Sequence, residues 1–323
     1  MSVSQKFPLV KLLHQTLVFV ILFTSDLLWG QDIPVSQFSS NPGILNPAFV
    51  GTTGGARVNM YYRDQWPQIE AGIRNFSVLY DRSFSEYHSG LGVKLSNELS
   101  GFYYKPALHA IYSYQVKLGH DFFASMAFDA GLVQKYISLS GLTFKDPGEN
   151  LSSGFSKLFP DFGMGIVAFY HQLYGGVAVN HLTEPYQGEV KTAESRLIRS
   201  YLLHLGYMYQ LQGRLLDQQR VIAPSLLVQV QGAQKYITWN LNGQYDSFLG
   251  GIGLRNDFTM QFDALIFFAG IKTKRLRITY SYDMNIGKMV TNSVGAHEIS
   301  FTMVWETQTK KKHNEIKCPS FLM

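Results

Sequence analysis

The sequence predicts an all-β protein: a transmembrane antiparallel β-barrel of about fourteen strands that follows a cleaved signal peptide. Three observations lead to this prediction. Short segments along the chain alternate apolar and polar residues with the period of a β-strand. The first 30 residues have the pattern of a secretion signal. The long connections between the predicted strands also fall on one side of the predicted sheet.

Residues 1–30 form the predicted signal peptide. Lys6 and Lys11 precede a short apolar stretch at 17–23, and a small residue, Gly30, ends the segment. A basic region, a short apolar region and a small residue are the parts of a secretory signal peptide. We therefore expect cleavage after Gly30, with an uncleaved membrane anchor as the alternative.

The clearest strand spans residues 274–284. Its even-numbered residues from Leu276 to Met284 are apolar or aromatic, and its odd-numbered residues from Arg275 to Asp283 are polar or charged. Successive side chains of a strand point to opposite faces, so one face suits lipid and the other suits water. About fourteen such segments between residues 56 and 305 form the predicted barrel, and bacterial barrels have an even number of strands.

The connections between these segments predict an orientation. The three long connections, at about 137–160, 182–196 and 285–296, follow the fifth, seventh and thirteenth predicted strands. All three therefore lie on the same side, whereas the other side has tight links such as residues 118–121. Outer-membrane barrels have long extracellular loops and short periplasmic turns, so we expect the long connections outside the cell.

Composition agrees with a barrel but does not by itself exclude a soluble β-sandwich or propeller. Charged residues make up 16% of the chain and aromatic residues 14%, while the mean hydropathy is −0.03. The net charge of +5 includes the run Lys310–Lys312, so no basic surface for nucleic acid is expected. The single cysteine, Cys318, excludes an intramolecular disulfide framework and a cysteine-based zinc site.

Several ionisable residues lie on the predicted inner face of the barrel. Charges facing the inside of a barrel must be paired or hydrated, so we expect ion pairs within the lumen, with a conduction filter as the alternative. These predicted lumen-facing charges are Arg57, Arg63, Lys94, Asp129, Arg275, Arg277 and Asp283.

Residues 31–55 form an irregular N-terminal region before the first strand. Pro42 and Pro47 each lack an N–H and restrict the preceding residue, so a regular strand is not expected. Irregular backbone survives at membrane depth only where protein buries it or where it lines a wet cavity. Two placements remain open: a plug in the lumen or across the periplasmic mouth, and an ordered periplasmic lead-in.

The polar, basic tail at 306–323 is predicted to be disordered.

No catalytic, cofactor or metal site is predicted. His297 and Glu298 lack the second histidine of a zinc helix motif and lie on a predicted strand. Ser200 and His204 share one face of a strand, but their spacing is too long for a catalytic dyad.

Two motifs near the start of the predicted mature chain carry a family resemblance. A segment with two Asn-Pro pairs and a glycine precedes a Tyr-Arg-Asp-Gln-Trp run on the first predicted strand. Near the other end of the chain, residues 281–284 and 293–301 resemble the penultimate and last strands of the same family. The chain thereby resembles the PorP/SprF family of type IX secretion outer-membrane proteins from Bacteroidota. The motif positions are Asn41, Pro42, Asn46, Pro47, Gly51, Tyr62, Arg63, Gln65 and Trp66.

The resemblance implies a non-enzymatic barrel in the outer membrane of a Gram-negative bacterium. It would work with the type IX secretion and gliding machinery and help to export or anchor large cargo proteins or adhesins, often through the C-terminal domain of the cargo. Outer-membrane lipid and the barrel-assembly machinery are further expected partners. A general or substrate-specific porin is the alternative function, and an outer-membrane enzyme is a weaker one.

Overall fold

The computed structural model describes residues 32–69, 71–138, 154–188, 195–211, 220–287 and 295–306. The expected signal peptide and nearly all of the expected tail lie outside these residues. Within the described ranges the chain forms fifteen strand segments, one short α-helix, α1 (Pro42–Leu45), and two 3₁₀ turns, Pro47–Phe49 and Ser85–Tyr87. The segments are β1 (Gly55–Gln65), β2 (Ile73–Phe84), β3 (Ser89–Ser100), β4 (Tyr103–Lys117), β5 (Phe122–Ile137), β6 (Phe155–Tyr170), β7 (Leu173–Asn180), β8 (Ser200–Tyr207), β9 (Tyr209–Leu211), β10 (Arg220–Gln231), β11 (Gln234–Tyr245), β12 (Phe248–Asp257), β13 (Phe262–Lys272), β14 (Leu276–Asn285) and β15 (Ala296–Glu306).

The strands close into an antiparallel barrel. Except for β8, which pairs with β10, each strand pairs with the next one along the chain, and β1 pairs with β15 from Gly55↔Glu306 to Gln65↔Ala296. Both β8 and β9 pair with β10, so they are two parts of one strand. The described residues therefore contain fourteen barrel strands. The prediction of an antiparallel barrel of about fourteen strands is confirmed.

One strand is interrupted at Met208, where the sequence predicted an unbroken segment from Tyr201 to Leu211. The interruption lies opposite Ala223 and Pro224, between the pairs Ser225↔Gly206 and Ile222↔Tyr209. A proline has no N–H to contribute to a ladder, which gives the break a local cause. Met208 still donates its N–H to Gln172 O at 3.0 Å and packs inward on Val221.

The barrel is apolar outside and polar inside, the reverse of a soluble domain. Along β14, Tyr280 is 41% exposed whereas its neighbours Ser281 and Thr279 are 0% and 6% exposed. The same alternation runs through β4, β6, β10 and β11. A wall with this pattern is suited to lipid on one face and to a polar interior on the other. No helix in the described ranges has both the length and the apolar character needed to cross a membrane.

The two ends of the barrel differ. The strand ends joined by the connections 138–154, 181–199 and 286–295 lie at one end of the barrel, here called the long-loop end. Turns such as His171–Gln172 and Asp246–Ser247 lie at the other, here called the tight-turn end. The loop after β5 is shorter than the predicted 137–160 because β5 and β6 both extend further, to Ile137 and from Phe155.

Candidate functional site

The N-terminal segment, residues 32–54, lies inside the barrel and runs along its length. Near the long-loop end, Asp32 N donates to Gln231 Oε1 at 2.5 Å, beside the turn that follows β10. Near the tight-turn end, Gly51 N donates to Asp81 Oδ2 at 3.5 Å. The segment therefore enters the first strand only after crossing the interior from one end to the other.

Two prolines shape the middle of this segment. Pro42 begins α1 and Pro47 begins a single 3₁₀ turn, Pro47–Phe49. A proline fits the first position of a helix because that N–H would have no helical partner. Asn46 lies between the two turns, and its side chain accepts a hydrogen bond from Ala48 N at 2.9 Å. The Asn-Pro pairs thus fold the backbone into two compact turns rather than a strand.

Asn41 and Asn46 attach the segment to different parts of the wall. Asn41 Nδ2 donates to Ser300 Oγ at 2.7 Å, and Asn59 Nδ2 donates to Asn41 Oδ1 at 3.1 Å. Asn46 Nδ2 donates to the carbonyl oxygens of Ile166 and Val177, both at 3.2 Å. The same amide lies 2.8 Å from His204 Nε2. One asparagine therefore binds β15 and β1, and the other binds β6, β7 and β8.

A buried ion cluster fixes the segment at Ser36 and Gln37. Both backbone N–H groups donate to the carboxylate of Glu298 at 2.9 Å, and Ser36 Oγ donates to Asp283 Oδ2 at 2.6 Å. Arg63 Nη1 binds both Glu298 and Asp283, the latter at 3.0 Å. Arg255 Nη2 also binds Asp283, at 2.8 Å. Two guanidinium groups therefore match two carboxylates that are almost fully buried, and such charges are tolerated only when paired.

A second buried pair lies towards the tight-turn end. Arg57 Nη2 donates to Asp81 Oδ2 at 2.7 Å and to the carbonyl oxygen of Phe49 at 3.0 Å.

Apolar residues of the segment pack against the wall near this pair. Ala48 and Phe49 pack against Val167, Phe169 and Tyr174. Val50 packs against Leu79 and Ile111. Apolar side chains of the segment thus pack against the inner wall towards the tight-turn end.

The structure places the remaining predicted lumen charges as follows. Lys94 and Asp129 lie in the interior and pair with each other at 3.1 Å, and His109 Nδ1 lies 2.7 Å from Asp129 Oδ1. Arg277 is buried at 3% exposure. Arg275 differs from the prediction: β14 begins at Leu276, so Arg275 lies in the preceding turn with an exposed side chain.

The Tyr-Arg-Asp-Gln-Trp run is divided between the two faces of β1. Tyr62 points outward and is 38% exposed, whereas Arg63 points inward to the ion cluster. Gln65 Oε1 accepts from Arg63 Nη2 at 3.2 Å. Trp66 has a left-handed backbone, with φ of 60°, and donates its N–H to Gly295 O at 2.9 Å. Arg63 is thus the motif residue that connects the strand to the N-terminal segment.

His181 joins the start of the segment to the wall at the long-loop end. Its Nδ1 lies 2.7 Å from Asp161 Oδ2, and its Nε2 lies 3.0 Å from Asp32 Oδ2. Burial would lower the pKa of His181, but the two carboxylates outweigh burial and raise it to about 9. The imidazole is therefore protonated at neutral pH.

Several interior residues were not predicted from the sequence. Glu298, Asp81 and Asp161 lie on inward positions of their strands, so alternation alone could have assigned them to the lumen. His181 and Ser36 lie outside the strands, and no periodic signal marks them.

Comparison with known proteins decides the family. Residues 29–303 match the model of a family described as type IX secretion system membrane protein PorP/SprF. The chain belongs to the PorP/SprF family. PorP/SprF proteins are membrane proteins of the type IX secretion system with an outer-membrane barrel fold, and membership implies interaction with components of that machinery. No curated protein matches this PorP/SprF chain significantly in sequence.

Solved outer-membrane barrels resemble this PorP/SprF chain at low identity. The CymD monoaromatic hydrocarbon channel matches with a TM-score of 0.48 and 10% identity, covering 85% of this chain and 94% of the channel. A Pseudomonas aeruginosa FadL homologue matches with a TM-score of 0.42 and 10% identity, covering 86% and 94%. The KdgM porin matches with a TM-score of 0.36 and 11% identity, covering 77% and 99%.

Proposed function

We propose that this protein is an outer-membrane component of the type IX secretion and gliding machinery, whose lumen is closed by its own N-terminal segment. It helps to export large cargo proteins or adhesins or to anchor them at the cell surface, through the C-terminal domain of the cargo. It has no catalytic role. The barrel-assembly machinery inserts it, and its outer wall contacts outer-membrane lipid.

One observation carries the proposal: residues 32–54 occupy the lumen and bind the wall on opposite sides. Gln37 Nε2 donates to Ser281 Oγ and to Glu298 O, both at 3.0 Å. Across the lumen, Ser113 Oγ donates to Val50 O at 2.7 Å. A barrel blocked in this way is suited to attachment rather than to free diffusion of solutes. The porin alternative requires an open path through the same space.

Conductance in a planar bilayer tests the plug. We expect the intact protein to conduct little, and a variant lacking residues 31–50 to form open channels, because the deletion removes most of the segment from the lumen. A deletion variant that conducts no better than the intact protein would refute the plug. High conductance by the intact protein would favour the porin.

Co-purification tests the secretion role separately. The C-terminal domain of a large secreted protein or adhesin encoded beside this gene serves as bait, and an unrelated secreted domain serves as control. Retention of the barrel by the cargo domain alone supports the proposal. Equal retention by both domains, or by neither, contradicts it.

A further inference from the structure

A polar chamber lies beside the N-terminal segment in the half of the lumen towards the long-loop end. Its volume is about 160 Å³. The residues that define it for this argument are Asp32, Ser77, Glu98, Lys105, Asp161 and His181, and Ser200 completes one wall. Asp32 keeps 25% of its side-chain exposure and Glu98 keeps 18%, so the chamber is not sealed from solvent.

The ion pairs around the chamber are unevenly divided among its carboxylates. Lys94 pairs with Asp129 at 3.1 Å, and Lys105 lies 4.0 Å from Glu98, so each lysine has a carboxylate of its own. Asp32 and Asp161, by contrast, share His181 as their contacting cation among the described residues. Lys105 attracts both carboxylates from a greater distance, so one oxygen of Asp161 is left without a contacting cation.

Hydrogen bonding leaves several buried polar atoms at the chamber without a partner among the described residues. Asp161 Oδ2 bonds to His181, but Asp161 Oδ1 is buried and has no hydrogen-bond partner among the described residues. The hydroxyls of Ser77 and Ser200 are also buried and without a partner in that part of the chain. Buried polar atoms are normally satisfied and a carboxylate oxygen can only accept, so Asp161 Oδ1 indicates a missing donor at the chamber.

We propose that the polar chamber binds a primary ammonium group, carried by a free amine or by a lysine side chain of another polypeptide. An ammonium supplies a positive charge and hydrogen-bond donors, and one of these donors would satisfy the unpartnered Asp161 Oδ1. Asp161 is its main acceptor. This inference goes beyond the proposed function and does not depend on cargo export.

Calorimetric titration of the purified, folded barrel in detergent tests the site. The probes are butylammonium and a short peptide with one lysine, and butanol and the same peptide with norleucine are the uncharged controls. We expect binding at millimolar concentration by one or both charged probes and not by the controls. Binding of the amine alone identifies a small-molecule site, and binding of the peptide alone identifies a side-chain site.

Three variants test the assigned residues. Asp161→Asn keeps the shape and removes the charge, so it should weaken ammonium binding by about tenfold. Lys105→Met removes a neighbouring cation and should tighten binding instead. Glu86→Gln, an exposed change at the tight-turn end, should leave affinity unchanged.

The heat-dependent gel mobility of each variant checks that the barrel is folded. If Asp161→Asn does not fold, ammonium binding by Lys105→Met still tests the proposal, which expects this variant to bind more tightly than the wild type. The proposal is overturned if the intact protein binds neither charged probe, if butanol binds as well as butylammonium, if a folded Asp161→Asn barrel binds unchanged, or if Lys105→Met weakens binding.

Discussion

Asn46 donates its side-chain amide to His204 Nε2 across 2.8 Å, although the two residues are 158 positions apart. Because the contacting atom of Asn46 is Nδ2, which can only donate, Nε2 accepts and the imidazole proton is on Nδ1. Phe49 lies against the same ring, with centroids 5.2 Å apart. The second Asn-Pro pair thus attaches the N-terminal segment to the middle of the barrel wall.

Replacing Asn46 with alanine should loosen the segment without opening the barrel wall. The change removes two N–H donors that are shared among His204 Nε2 and two strand carbonyls, which should cost about 1–3 kcal/mol of unfolding free energy. Denaturant unfolding followed by tryptophan fluorescence measures the loss. Asn97→Ala is the matched control, because Asn97 Oδ1 has no hydrogen-bond partner in the described residues. Equal losses in both variants would contradict the role of Asn46.

Arg63 and Glu298 should show strong coupling in a double-mutant cycle. Arg63→Met leaves Glu298 and Asp283 with one arginine between them, and an uncompensated buried charge costs about 3–5 kcal/mol. Adding Glu298→Gln restores the balance of Arg255 with Asp283 and should recover part of the stability. Unfolding free energies of the wild type, both single variants and the double variant give the coupling. A double variant whose loss equals the sum of the single losses would count against the cluster.

Gly165→Ala should displace the N-terminal segment. A Cβ at this position would overlap Asn46 Oδ1 and lie 3.2 Å from Pro47 Cδ. Limited proteolysis within residues 32–54 should therefore become faster, while the strands stay resistant. Gly243→Ala is the control, since the nearest atom to its Cβ would be 3.7 Å away. Unchanged proteolysis of Gly165→Ala would show that the close approach of Asn46 is not required.

The attachment of Asp32 to His181 should weaken at alkaline pH. Because the pKa of His181 is raised from 6.5 to about 9, its stabilising charge is fully present below about 6.5 and is lost as the pH rises through 9. For Asp32, burial would raise the pKa, but His181 lowers it overall, so this carboxylate stays charged throughout that range. Hydrogen exchange at residues 32–35 should therefore become faster above pH 9 than the intrinsic rate predicts.

His181→Gln provides the comparison for this pH dependence. The variant should show fast exchange at residues 32–35 at neutral pH and no further step near pH 9. His171→Gln changes a histidine in a turn at the other end, where the side chain is 58% exposed, and should behave like the wild type. A step near pH 9 that persists in His181→Gln would assign the effect to another group.

The charged residues of the lumen show how much of the inner face strand periodicity alone can predict. Lys94 and Asp129 alternate correctly on β3 and β5, so their inward placement follows from the period of two. Their pairing at 3.1 Å cannot be predicted in this way, because β4 lies between the two strands and the sequence pattern does not give the register of one strand relative to the other. Arg275 shows where the period of two fails. The prediction extended the alternation beyond the start of β14 at Leu276 and so assigned a turn residue to the inner face.

The sequence by itself determined the strand order, the face of most residues on each strand and the separation of long loops from tight turns, because these depend on local periodicity and connection length. Only the tertiary structure decided that the N-terminal segment runs through the lumen and begins at the long-loop end. That path depends on the pairing of β1 with β15, which brings Arg63 beside Glu298, 235 positions away. Contacts of this kind arise from barrel closure, and no local pattern encodes them.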